Sequence, residues 1–164
     1  MERLRNFARV LQGRPGAVAE LRGSEHYPEI RGTVRFYQTQ WGVLAAAEVT
    51  GLPQGELRCP GDIFAFHIHK GDACGGNAQD PFADALTHYD PLGCAHPEHA
   101  GDLPPLFGNR GKAFQVVLTD RFLLGEILGK TVIVHRGLDD FTTQPSGNAG
   151  AKIACGVIRP WGCR

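Results

Sequence analysis

Apolar and polar residues alternate in short stretches along most of the chain. "TVRFYQ" (33–38) and "FAFHIH" (64–69) repeat with a period of two. That period puts alternate side chains on opposite faces of a sheet. Further apolar or β-branched stretches read as strands at 17–23 ("AVAELRG"), 30–38, 42–51 ("GVLAAAEVTG"), 62–69, 112–119 ("KAFQVVLT"), 130–136 ("KTVIVHR") and 151–158 ("AKIACGVI"). Glycine (22 residues) and proline (11) fall between them. Seven or eight short strands separated by such turns predict an antiparallel sandwich or barrel. The opening "MERLRNFARVLQGR" has the spacing of a short amphipathic helix. Residues 1–16 therefore read as an N-terminal extension and 17–164 as one domain, a length that supports a real core.

Two stretches break the rhythm. From Lys70 to about Pro105 there is no strand pattern, and a loop of that length inside a compact domain is usually functional. It is rich in Gly, Asp, His and Cys, and lacks the Glu, Lys and Ser bias of disorder. A cross-link or a metal is the expected anchor. A second loop, "GLDDFTTQPSGNAG", runs from Gly137 to Gly150.

Charge narrows the partners. Lys plus Arg and Asp plus Glu are 17 each, so the formal net charge is zero. A general nucleic-acid or anionic-membrane partner would call for a basic excess. No run approaches ~18 apolar residues, so no membrane span is expected. The N-terminal stretch lacks the apolar region of a signal peptide. The sequence as it stands reads as cytoplasmic, or as extracytoplasmic if a leader was removed. Five cysteines leave at least one unpaired within the chain.

The histidines carry the chemistry. Five of the seven lie between His67 and His99. On a strand, His67 and His69 share one face with side chains ~7 Å apart, so both can reach one ion. "THYDPLGCAHPEHAGD" adds His88, His96, His99 and Asp102, a His3Asp set that suits tetrahedral zinc. His135 ends the apolar strand "TVIVH".

These stretches, with the closing segment "GNAGAKIACGVI" (147–158), resemble the copper/zinc superoxide dismutase family. "FHIH" matches its F-H-x-H strand, "HYDP" its H-x-[ND]-P segment, "HAGDL" its H-x-G-D-L segment and "TVIVH" its x-V-x-V-H strand, all in order. The resemblance runs from about Ala17 to Ile158. It implies an all-β fold, an eight-stranded Greek-key β-barrel or immunoglobulin-like sandwich with two long loops. It implies copper on His67, His69, His88 and His135, and zinc on His88, His96, His99 and Asp102, with His88 bridging the metals. Asp139 would link His67 to His96, and Cys74 would pair with Cys155. The implied reaction is dismutation of superoxide, with His88 handling a proton. The family's anion-guiding arginine is replaced here by Lys152, which keeps the charge and loses the two-donor fork.

Some readings stay open at this level. Cys59 and Cys163 can form a second bridge, and Cys94 is either a loop residue or an alternative zinc ligand. Arg136 or Lys112 can add positive field. A homodimer fits a family whose members pair through different faces. The runner-up reading is a metal-binding relative without fast dismutation, favoured only by Lys152. A sandwich-type interaction module fits six histidines at ligand positions poorly.

Overall fold

A computed structural model of the protein describes residues 7–55 and 62–162. Cys59, Cys163 and the first six residues of the expected helix lie outside that range, and the second bridge with them. The expected strands form as β1 (Ala17–Gly23), β2 (Arg31–Thr39), β3 (Gly42–Thr50), β4 (Ile63–His69), β6 (Lys112–Thr119), β7 (Thr131–His135) and β8 (Lys152–Pro160). An eighth strand, β5 (Asp102–Phe107), occupies the end of the stretch read as loop. Its sequence "DLPPLF" hides it, because prolines cannot donate to a ladder. β5 escapes that penalty by sitting at the edge of the sheet, paired only with β4.

The sheet is antiparallel with order β5-β4-β7-β8-β1-β2-β3-β6. β5 and β6 then meet, so the sheet curls into a nearly closed barrel. Across that seam the Gln115 amide donates to the Pro104 carbonyl at 2.9 Å. The inward faces of the strands supply the core, including Leu21, Phe36, Phe64, Phe66 and Ile158, all essentially inaccessible. Burying one such side chain contributes about 1.5–3 kcal/mol. Among the described residues the N-terminal helix, α1 (Phe7–Leu11), ends before Arg14 and packs Phe7, Val10 and Leu11 on Tyr37, Leu44 and Ala46. A short helix, α2 (Leu124–Ile127), leads into β7. No helix among the described residues is long and apolar enough to cross a membrane.

β4 and β7 depart from simple alternation because both of their faces are buried. Phe64, Phe66, Ile68, Val132 and Val134 face the barrel core. The opposite faces, with His67, His69, Ile133 and His135, lie beneath the two long loops. The first loop, residues 70–101, docks there through Phe82 and Ala85 on Ile133 and Cys155. The Cys74–Cys155 disulfide fixes the same contact covalently, with the two Cα atoms 5.7 Å apart. Cys94 is the free cysteine among the described residues.

The bridge closes a long stretch of chain, with a sequence separation of 81. Constraining such a loop in the unfolded chain stabilises by about 4 kcal/mol. Urea unfolding of metal-free Cys155→Ser is expected to show a loss of that order. A loss below about 1 kcal/mol would show that Phe82 and Ala85 hold the loop without the bridge.

Candidate metal centre

Two groups of side chains converge under the loops. His67, His69, His88 and His135 form one, and His88, His96, His99 and Asp102 form the other. Every member is buried. Pairing of β4 with β7 sets His67 against Ile133 and His69 against Thr131. A register shift between Val134 and His135 brings His135 opposite Lys152, and such irregularities re-aim side chains beside sites. An isolated bridge ties His88 to His69.

Hydrogen bonds around the first group decide which nitrogen of each ring is bare. The Asp139 carboxylate can only accept, so His67 Nε2 donates to it at 2.7 Å and Nδ1 carries the lone pair. His69 Nδ1 donates to the Leu86 carbonyl at 2.8 Å, and His135 Nδ1 to the Gly150 carbonyl at 3.1 Å. Both leave Nε2 bare, and the two Nε2 atoms lie 3.2 Å apart. Two lone pairs at that distance cannot hydrogen-bond to each other. His88 Nδ1 faces Asp102 at 2.7 Å, which leaves its Nε2 bare. His67 Nδ1 and His88 Nε2 are buried with no partner. Four converging lone pairs in an apolar interior are costly unless a cation lies among them. This donor set fits copper, for which imidazole nitrogens are well suited.

The second group has the same logic. Asp102 lies within reach of three ring nitrogens: His88 Nδ1 at 2.7 Å, His96 Nδ1 at 3.0 Å and His99 Nδ1 at 3.2 Å. His96 Nδ1 comes that close without hydrogen-bond geometry and is otherwise unpartnered. Its Nε2 donates to Asp139 at 2.8 Å, so Nδ1 is the bare atom. Three nitrogens and one carboxylate suit zinc. Asp139 thus sets the tautomers of His67 and His96 together, one oxygen for each ring.

The electrostatics favour the neutral form of His67, His69 and His135. Burial, reinforced by the charge of His67, lowers His135 to about 3. Burial, then His135 and His88, hold His69 well below the ordinary imidazole value. Burial also lowers His67, only partly offset by its bond to Asp139. For Asp139 burial acts upward, but hydrogen bonds from His67, His96 and the Phe141 N–H outweigh it and hold the carboxyl well below the usual range. Neutral imidazole is the ligating form.

Several positioning contacts carried no signal in the sequence. Gln144 grips the backbone of His96 from both sides: its Oε1 accepts from His96 N at 3.0 Å and its Nε2 donates to His96 O at 2.7 Å. Arg121 Nη1 donates to the carbonyls of Pro97 (2.9 Å), His99 (3.2 Å) and Asp102 (3.3 Å). Gly147, at φ +67°, lies where a Cβ would strike Asp139 Oδ1 and come within 2.7 Å of His96 Nε2. Among the residues named from the sequence, Lys152 lines a cleft of about 470 Å³ with His69, His88, His135 and Gln144. Cys94 lines it too, but belongs to neither group. Arg136 and Lys112 do not line it.

A curled Greek-key barrel carrying two histidine clusters that share one ring defines a dinuclear metalloprotein. The family model "Copper/zinc superoxide dismutase (SODC)" matches residues 30–158. Superoxide dismutase [Cu-Zn] 2 of Aquifex aeolicus (strain VF5) is 34% identical over 158 residues, covering 87% of this chain and 86% of its own. Superoxide dismutase [Cu-Zn] of Legionella pneumophila is 34% identical over 140 residues, 80% of each chain. The solved structure of Cu/Zn superoxide dismutase from Brucella abortus superposes with a TM-score of 0.71 at 29% identity, over 86% of this chain and 98% of that one. The chain belongs to the copper/zinc superoxide dismutase family.

Two outcomes follow from the geometry. The lowered histidines bind fewer protons folded than unfolded, so the stability of metal-free protein falls as pH drops from about 6.5 toward about 3. The lowered Asp102 and Asp139 carboxyls act in the same direction at the acid end of that window. Urea midpoints of metal-stripped protein across that window check this, and a midpoint that rises on acidification contradicts it. Gln144→Ala should weaken zinc by roughly tenfold in chelator competition, as loss of ligand-orienting partners does elsewhere. Unchanged zinc affinity would show that the His96 clamp is dispensable.

Proposed function

We propose that this chain is a superoxide dismutase in which His67, His69, His88 and His135 hold copper, and His88, His96, His99 and Asp102 hold zinc. The observation that carries this reading is the single ring, His88, common to both groups, with one nitrogen turned toward each. When bound, copper would supply the one-electron couple and zinc a fixed charge beside His88. Two superoxide ions and two protons become one oxygen and one hydrogen peroxide, so one substrate is oxidised and the other reduced.

The protein's own residues do the rest. His88 Nε2, buried and without a partner, would hold a proton and pass it to the reduced substrate. Asp102 keeps the ring in place through its Nδ1 side. Asp139 holds His67 and His96 in the tautomers that leave Nδ1 free. Lys152, on the wall of the cleft, attracts the anion toward the open face of the first group. Superoxide is the substrate. Zero net charge supports neither nucleic acid nor an anionic membrane as a partner.

Residues 17–164 form the enzymatic domain and 1–16 an extension, a division supported by α1 packing on the outside of β2 and β3. A second copy of the chain is the partner that Phe107, Phe114, Val116 and Leu118 support, an exposed apolar stripe across β5 and β6. The reading as a non-enzymatic metal binder draws only on Lys152, and the complete set of four imidazoles weighs against it.

Protein reconstituted with copper and zinc should remove superoxide faster than metal-free buffer controls, and equality with those controls defeats the enzyme reading. His135→Ala should lose copper and retain zinc by metal analysis; equal loss of both would undo the division of ligands. Lys152→Ala should slow dismutation by roughly threefold to tenfold, the scale of one steering charge, and Lys152→Arg should raise it.

A further inference from the structure

The cation that guides the substrate does not stand alone. Lys152 Nζ donates to Asp80 Oδ2 at 2.7 Å and to the Phe82 carbonyl at 3.1 Å. The pair is partly sheltered, with side-chain exposures of 14% for Lys152 and 38% for Asp80. Asp80 is itself held from several directions. Its Oδ1 accepts from Phe82 N at 3.0 Å, and its own N–H donates to Asn77 Oδ1 at 3.0 Å. Its carbonyl accepts from Asn77 N at 2.9 Å and Ala83 N at 3.1 Å. Phe82 and Ala85 are packed against Ile133 and Cys155, so the acid is anchored to the strand layer that carries His135.

This arrangement does two things with one carboxylate. It stations the ammonium group on the wall of the cleft, and it sets a full negative charge against it. We infer that Asp80 is a positioning residue that limits anion capture, by holding Lys152 and offsetting most of its attraction for the substrate. This rests on the reading of Lys152 as the anion guide. A lysine is a flexible point charge without arginine's rigid fork, so it needs a partner to fix it, and the partner available here is an acid. The consequence is a site whose pull on a small anion is weak and only mildly dependent on salt.

The pair is tested on the copper- and zinc-loaded protein with azide as the anion. Azide affinity is followed by the copper absorption spectrum, and dismutation rate by its dependence on ionic strength. Asp80→Asn retains an acceptor for Phe82 N and removes the charge. It should tighten azide roughly threefold at about 0.01 M ionic strength, the scale of one unit charge acting through solvent over ~7 Å. The gain should fade toward about 1 M, where screening acts within ~3 Å, and the rate should depend more steeply on salt than in the native protein. Asp80→Glu keeps the charge and should keep the native salt slope.

Azide affinity that is unchanged or weaker in Asp80→Asn overturns the inference. So does an equal gain in Asp80→Glu, because loosening rather than charge would then be the cause. Lys152→Gln separates the two levels. If it lowers azide affinity while Asp80→Asn changes nothing, only the role of Asp80 falls. If it leaves affinity and salt slope untouched, the guide itself falls and the inference with it.

Discussion

His88 turns both of its ring nitrogens toward buried ligand groups, and the rest of the site is built to keep it there. One nitrogen has Asp102 for company; the other has no partner. With Nδ1 facing the carboxylate, the lone pair on Nε2 is left unmet, because no donor among the described residues reaches it. His67, His69, His96 and His135 share that incompleteness in milder form. An outer acceptor takes one nitrogen, namely Asp139, the Leu86 carbonyl or the Gly150 carbonyl, and the other nitrogen is left bare toward the centre. The outer hydrogen bonds therefore do more than orient rings. They choose the tautomers, and the tautomers are what make the interior a place for cations.

The strands and loops divide this work unequally. His67, His69 and His135 stand on β4 and β7, whose inward faces are locked into the core. His88, His96 and His99 stand on the loop before β5, and Asp102 is the first residue of β5. Three of the four proposed copper ligands are thus fixed by the barrel, whereas the proposed zinc ligands depend on the loop being ordered. The Cys74–Cys155 bridge, the Gln144 clamp and the Arg121 contacts all act on that loop-borne side. Fixing a residue's backbone costs about 1–2 kcal/mol, so an ordered loop of this length needs such ties distributed along it.

What the sequence made legible follows from which features are local. The two-residue period of "FAFHIH" placed His67 and His69 on one face, and the order of the histidine stretches carried the family resemblance. Seven strands were readable from alternation or from apolar, β-branched runs. β5 was not, because Pro104 and Pro105 erase the strand signal where an edge position makes them tolerable. Gln144, Arg121 and Asp80 were also invisible, since each acts on a partner many positions away: 48 residues separate Gln144 from His96, and 72 separate Asp80 from Lys152. A polar residue in a loop gives no sequence sign of the carbonyl or ammonium it will meet. Lys152 itself was legible as a charge in the closing segment, but not as half of an ion pair.

That last point bears on how the charge of the whole chain should be read. Equal numbers of acids and bases forbid a strong overall field, so attraction for a small anion has to be made locally. Locally, Lys152 is the cation on the wall of the cleft beside His69, His88 and His135. The same contact that places it also offsets it. Precision of placement and strength of attraction are therefore opposed at this position. An arginine escapes that opposition, because its fork can be held by neutral carbonyls through some donors while others face the substrate. Lys152 takes one carbonyl, that of Phe82, and the Asp80 carboxylate beside it. On the proposed reading of Lys152, a lysine where the family resemblance implies an arginine alters the electrostatics of the site through the partner it takes, more than through the charge it retains.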